Sequence, residues 1–205
     1  NKSVLERIPI RNNFDTRYFS DKYQALPEKG YTYFFQQLLK NKLINIKLST
    51  DYFEYKKKHS LKNIPIIFTG PIDSYYSNIG YPKLEYRSIN FQKEYYNIRY
   101  YQPNSVINYP EKKYPYTRIV EYKHFLNQKL KDNNKTLIVK ETTTDIGEPY
   151  YPVPTKKNIE LYNKYKLLAE KEKNIYFIGR LATYKYINMD QAIKFGLDFD
   201  IKKLF

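Results

Sequence analysis

The chain has 205 residues and a mass of 24.9 kDa, enough for one or two domains with a sizeable core. It contains no cysteine, which excludes disulfides and cysteine-ligated metals and fits a reducing cytoplasm. A formal charge of +15 favours anionic partners such as nucleic acid, acidic membranes or phosphorylated ligands. The lysines are scattered, however, with the densest runs at Lys56 to Lys58 and Lys112 to Lys113. Lys, Asn, Ile, Tyr and Phe abound together, as A/T-rich codons dictate, so most of the charge reads as compositional. With Tyr 25 and Phe 12 the core is expected to be aromatic, and buried tyrosine hydroxyls need partners. No apolar run has transmembrane length and no leader pattern is visible. Asn1 to Glu6 reads as the middle of a longer chain, so a fragment or excised domain is expected.

Arg7-Ile8-Pro9-Ile10-Arg11 reads as extended, because Pro9 keeps Ile8 out of the helical region. In a strand, residues four apart share a face, so Arg7 and Arg11 can address one ligand or stand solvated on an edge. Gly30 to Lys40 has helical periodicity in Phe34, Phe35, Leu38 and Leu39, a stripe of the kind that usually makes core. Ile44 to Ser49 alternates as a half-buried strand, and Thr50-Asp51-Tyr52-Phe53 continues it. Lys56 to Lys62 reads as a surface turn, and Ile64 to Thr69 as an apolar strand ended by Gly70-Pro71. Strand-like segments follow at Leu84 to Tyr96, Ser105 to Tyr109, Thr117 to Lys123 and Thr136 to Thr144. Their short connections suit antiparallel pairing. Pro149 and Pro152 hold Tyr150 and Tyr151 extended. Asn158 to Lys171 is a helix by the spacing of Ile159, Tyr162, Tyr165, Leu168 and Ala169, with Thr155 as N-cap.

The stretch from Asn174 to Ile193 organises the rest. Ile175 to Ile178 has the length of a buried strand, Gly179 allows a sharp turn, and Arg180 stands at its mouth. A helix opens near Asn188 to Asp190, with Asn188 suited to the N-cap. Strand, glycine, arginine and helix start together can bind an anion. On spacing alone, an ordinary connection with a solvated arginine is the favoured reading.

The same stretch, GRLATYKYINMD, resembles the C-terminal signature of the UDP-galactopyranose mutases. RIPIRNNFDTRYFSDKYQALPEKGYT, FTGPIDSYYSNIGYPKLEYRSINF, PYTRIVEYKHF and GEPYYPVP also resemble that family, in the family's order. The likeness runs from Arg7 to about Phe195. It implies an α+β fold: an antiparallel or mixed sheet domain with flanking helices, plus a C-terminal strand–helix segment that completes a FAD-binding domain. The expected organisation is 1–63 leading into the sheet, 64–154 as the substrate sheet domain, and 155–205 returning to the FAD domain. The resemblance implies an isomerase converting UDP-galactopyranose to UDP-galactofuranose, or the N-acetylgalactosamine analogue, with reduced FAD and no net redox change.

Residue by residue, the likeness gives Arg7 and Arg118 catalytic roles on the substrate diphosphate. Tyr18, Arg87, Asn108, Tyr151 and Tyr186 would bind substrate, and Thr50, Asp51, Arg180, Met189 and Asp190 the cofactor. Two arginines suit a diphosphate, because a guanidinium binds its oxygens through paired N–H bonds. From the residues alone, a cross-strand salt bridge from Arg118 to Glu121 or Glu141 weighs about equally. The implied partners are a UDP-sugar and an N-terminal FAD-binding half of the same protein; a homodimer is allowed, and no metal or membrane is called for. A non-catalytic basic domain binding anions or nucleic acid is the alternative, since aromatics and lysines interleave in Tyr52 to Lys58.

Two positions depart from the signature: Ala182 replaces a glycine and Asn188 an aspartate. No GxGxxG occurs, so the nucleotide-binding fingerprint of the family is absent from this chain. The 205-residue chain alone is therefore expected to retain no stoichiometric flavin and to be inactive. Absorbance of the purified chain tests this: a colourless preparation is expected, and a yellow one with bound flavin contradicts it.

Overall fold

The computed structural model describes residues 12–14, 21–125 and 133–204; Arg7, Arg11 and Tyr18 lie outside them. The chain divides into two compact units, Asn1–Ile46 with Phe125–Lys129, and Lys47–His124 with Leu130–Phe205.

In the first unit, helix α1 spans Gly30–Leu38. Gly30 opens it at φ +79°, and the Leu39 N–H closes its last turn on the Phe35 carbonyl at 3.0 Å. The helix agrees with the periodicity, but its stripe is not core. Phe34, Phe35, Leu38 and Leu39 are all exposed, Leu38 by 56%. Periodicity decides which face is apolar and does not supply a surface to bury it.

The strand expected over Ile44 to Ser49 does not form. Ser49 sits at φ +50°, in the left-handed region, which interrupts extended chain. Asp51 then acts as an N-cap, its Oδ1 accepting the Glu54 N–H at 2.9 Å. Tyr52–Lys58 is accordingly helix α2 rather than a continuing strand.

Strand β1 (Ile66–Phe68) is followed by the short helix α3 (Ile72–Tyr75). Strands β2 (Tyr86–Tyr96), β3 (Val106–Asn108), β4 (Arg118–Glu121), β5 (Thr136–Thr144) and β6 (Tyr151–Pro152) form one antiparallel sheet, in the order β3-β4-β5-β2-β6. Helix α4 (Lys156–Ala169) leads to strand β7 (Ile175–Phe177), which pairs with β1 in parallel, Ile66 opposite Ile175 and Phe68 opposite Phe177. Helix α5 (Met189–Leu197) follows. The α+β class and the antiparallel sheet are as expected; the parallel pairing of β1 with β7 is a long-range feature that neither strand announces. Among the described residues, no helix is long and apolar enough to cross a membrane.

Thr155 caps α4 as expected, its hydroxyl accepting the Asn158 N–H at 3.2 Å. The buried face of α4 carries Asn158, Leu161 and Tyr165, while Ile159, part of the apolar spacing that marks the helix, is exposed. Leu161 and Tyr165 join Ile72, Tyr76, Leu84 and Tyr184 in the main core. Asp73 is buried beside it and accepts the Leu84 N–H at 3.2 Å and the Tyr86 hydroxyl at 3.1 Å. Burial first, then the Asp73 charge, raises the Tyr86 pKa far above the ordinary tyrosine value, so Tyr86 stays a neutral donor.

A second core lies within the sheet, where Ile119, Val120, Ile138 and Val139 are buried. Glu121 is fully buried there and accepts the N–H groups of Tyr101 and Gln102, each at 3.0 Å, and the Thr136 hydroxyl at 2.5 Å. Burial opposes its charge, yet these bonds and His124 together hold the carboxyl below the usual range. Glu121 therefore fastens the loop before β3 to the sheet.

Tyr184 joins the sheet to the last turn of the fold. It takes φ +49°, buries its ring against Tyr86 and Tyr162, donates its hydroxyl to the Glu85 carbonyl at 2.6 Å and accepts the Val153 N–H at 3.1 Å. Burial pushes its pKa up to about 12, so the hydroxyl stays protonated near neutrality. Tyr184→Phe removes both bonds and is expected to cost about 1–2 kcal/mol. Urea denaturation reads this as a lowered midpoint, and an unchanged midpoint contradicts the assigned role.

Candidate functional site

The site begins with the sheet register. Asn108 lies opposite Arg118, Arg118 opposite Glu141, and Glu141 opposite Phe91. Cross-strand neighbours share a face, so one row crosses four strands. Within it, Arg118 Nε donates to a Glu141 carboxylate oxygen at 2.5 Å. The Glu141 side chain is only 6% exposed, whereas that of Arg118 is 41% exposed. The buried acid thus holds the inner edge of the guanidinium and leaves its outer end toward solvent. Of the two carboxylates considered from sequence, Glu141 is the partner, because Glu121 projects from the opposite face of β4. The ion pair does not exhaust Arg118, since a guanidinium carries five N–H donors.

Alternation along β2 puts Arg87, Ile89 and Phe91 on this same face. Arg87 lies opposite Tyr151 of β6 and forms an ion pair with Asp145. The Arg87–Tyr151 row is four residues, or roughly 13 Å, along β2 from the Arg118 row. That separation suits a ligand the size of a nucleotide sugar better than a single ion.

At the end of β7 the chain turns through Gly179, whose φ of +87° few other residues adopt. The Thr183 hydroxyl donates to the Gly179 carbonyl at 2.7 Å, and the Lys185 N–H to the Arg180 carbonyl at 3.1 Å. This tight turn aims the Arg180 side chain at two rings. Its guanidinium carbon stands 4.7 Å from the Tyr151 centroid and 4.5 Å from that of Tyr186, and the rings are nearly parallel, 5.6 Å apart. Arg180 is therefore not the solvated residue that spacing favours. Its Nε and Nη2 are buried and find no acceptor among the described residues. Leaving such donors unpaired costs about 1–3 kcal/mol each, and more when the group is charged.

The two departures from the signature are accommodated. Ala182 does not have positive φ and is fully buried, so no glycine is required. Asn188 is the N-cap of α5, and the Gln191 side chain accepts its N–H at 2.9 Å. Met189 and Asp190 stand exposed on the first turn of α5. Thr50 and Asp51 are engaged locally, Thr50 donating to the Leu48 carbonyl at 2.9 Å and Asp51 capping α2.

The structure thus brings Asn108, Arg118, Arg87 and Tyr151 onto one sheet face, and Tyr186 and Arg180 against Tyr151. Asp145 and Tyr184 are supporting residues that composition and spacing do not single out. Glu141 is one of the two acids weighed for Arg118 from sequence, and the β4–β5 register selects it over Glu121.

Comparison with known proteins gives this arrangement a family. The family model described as UDP-galactopyranose mutase matches residues 1–186. The chain is 37% identical over 194 residues to a probable UDP-galactopyranose mutase from Klebsiella pneumoniae, covering 93% of this chain and 49% of that protein. It is 35% identical over 202 residues to dTDP-fucopyranose mutase from Escherichia coli, covering 96% of this chain and 53% of that protein. It is 36% identical over 208 residues to UDP-galactopyranose mutase from Mycoplasma genitalium, covering 94% of this chain and 51% of that protein. The chain spans about half the length of the curated relatives it matches. With a family model covering most of its residues, the chain belongs to the UDP-galactopyranose mutase family.

Proposed function

We propose that this chain is the C-terminal part of a cytoplasmic, flavin-dependent mutase that interconverts UDP-galactopyranose and UDP-galactofuranose, or the N-acetylgalactosamine pair. It needs an N-terminal FAD-binding half for activity. The observation that carries the reading is the stack of Arg180 on Tyr151 and Tyr186, at the border of the sheet face that bears Arg87 and Arg118. Buried N–H groups of Arg180 with no acceptor among the described residues suit a ligand rich in oxygen acceptors. A flavin and a sugar diphosphate both have that chemistry, so the donors present fit the implied groups. The match to a dTDP-fucopyranose mutase supports stating the substrate class broadly, as a nucleoside diphosphate hexopyranose.

Bound in its reduced state, flavin supplies the nucleophile for the anomeric carbon. This chain binds and positions. Arg118, with Arg7 from outside the described residues, neutralises the diphosphate as it becomes a leaving group. Glu141 orients Arg118 by taking its Nε–H, so the remaining donors meet the phosphate already aligned. Tyr18, Asn108, Tyr151 and Tyr186 orient the nucleotide sugar, with Arg87, the cross-strand neighbour of Tyr151, as a further substrate-binding residue. Arg180, Met189 and Asp190 face the cofactor, while Thr50 and Asp51 serve its distant end.

In the intact enzyme, Arg118→Ala is expected to lower the turnover number by at least ~10²-fold, the usual loss for one charged transition-state contact. Steady-state kinetics with UDP-galactofuranose checks this, and near-normal turnover would remove Arg118 from the role.

A further inference from the structure

The parallel β1–β7 ladder has two ends. Gly179 and Arg180 follow its carboxyl end, where the candidate site lies. A separate cleft of about 560 Å³ opens at its amino end, before Ile66 and Ile175. Lys56 at the end of α2, Lys62 in the α2–β1 loop, and Lys171 and Lys173 after α4 line this cleft, with His59, Ser60 and Asn63 between them. Among the described residues, none of the four lysines has a carboxylate partner within ion-pair distance. Glu172 is the acid of the lining, and it accepts the Tyr76 hydroxyl at 3.3 Å on the core side. His59 Nδ1 is 3.0 Å from the Tyr55 carbonyl and donates to it, and its ring stacks on Tyr55 at 4.0 Å. Its Nε2 is thereby held in a fixed direction.

Lysines at helix C-termini have an ordinary explanation, since they offset the negative end of the dipole. That explanation falls short in magnitude. Two helix ends supply about half a charge each, and Glu172 one more, against four full cations gathered from three segments around one concavity, which leaves a surplus of about two positive charges. A low-dielectric wall focuses the remaining positive potential into the cleft.

We propose that this cleft is an oxyanion site, distinct from the candidate site around Arg118 and Arg180, that binds a multiply charged phosphate-bearing small molecule. Lys62, Lys171 and Lys173 supply the charge, and Ser60 and Asn63 supply neutral donors. The site does not depend on the mutase reading.

Inorganic pyrophosphate is the probe, titrated calorimetrically at low salt into the intact protein carrying Arg118→Ala, which suppresses binding at the candidate diphosphate site. Adding Lys62→Gln, Lys171→Gln and Lys173→Gln is expected to weaken binding by roughly tenfold or more, as the loss of three partly screened charge contacts implies. Pyrophosphate binding unchanged by the three substitutions overturns the proposal. So does binding confined to phosphatidylserine vesicles with none to pyrophosphate, which would make the cleft a membrane contact. These exposed lysines contribute no buried contact, so the variant is expected to keep its denaturation midpoint.

Discussion

A charged guanidinium with buried, unpaired donors is costly, and among the described residues Arg180 Nε and Nη2 find no acceptor. The fold holds it there regardless. Gly179 turns the backbone, Thr183 and Lys185 tie the turn closed, and the stacked rings of Tyr151 and Tyr186 both stand beside the guanidinium. Such an arrangement persists only when its surroundings over-determine it, and it makes sense where a ligand supplies the acceptor. The rest of the site follows from that position. Tyr151 is both a stacking partner of Arg180 and the cross-strand neighbour of Arg87, so the turn and the sheet meet at one side chain.

Four strands in register set Asn108, Arg118, Glu141 and Phe91 side by side, and the buried Glu141 fixes the direction of Arg118. A salt bridge and a ligand contact are usually weighed as rivals for one arginine. Here they are compatible, because the ion pair uses Nε and leaves the exposed end of a five-donor group. Tyr184, pinned to Glu85 and Val153, fixes the turn against the start of β2 and the end of β6. Stability and function therefore share residues: the hydroxyl that fastens the core also sets where the turn delivers Arg180.

Much of this was legible in the sequence where the physics is local. The glycine of the 179 turn, the Thr155 and Asn188 caps, the β-branched run of β5 and the periodicity of α4 each act over a few residues. The failures were also local readings that tertiary context overrode. Ile44 to Ser49 alternates like a strand, but Ser49 adopts positive φ and Asp51 caps a helix. The α1 stripe has the right period and remains exposed. Family motifs brought Arg87, Asn108, Tyr151 and Tyr186 to notice, yet no motif says that Arg180 packs against the stacked pair Tyr151 and Tyr186 with no acceptor for Nε and Nη2 among the described residues. The pairing of β1 with β7 joins segments far apart in the chain, which periodicity cannot see, and the choice of Glu141 over Glu121 as the partner of Arg118 needs the β4–β5 register.

The chain belongs to the UDP-galactopyranose mutase family and spans about half the length of the curated relatives it matches. The most direct measurement is a crystal structure of the intact protein with UDP-galactose bound. Diphosphate oxygens within hydrogen-bond distance of the outer Arg118 nitrogens, over the face shared with Tyr151 and Tyr186, are the expected result. A nucleotide bound to the opposite face of the sheet, or held without contact to Arg118, would contradict the shared site.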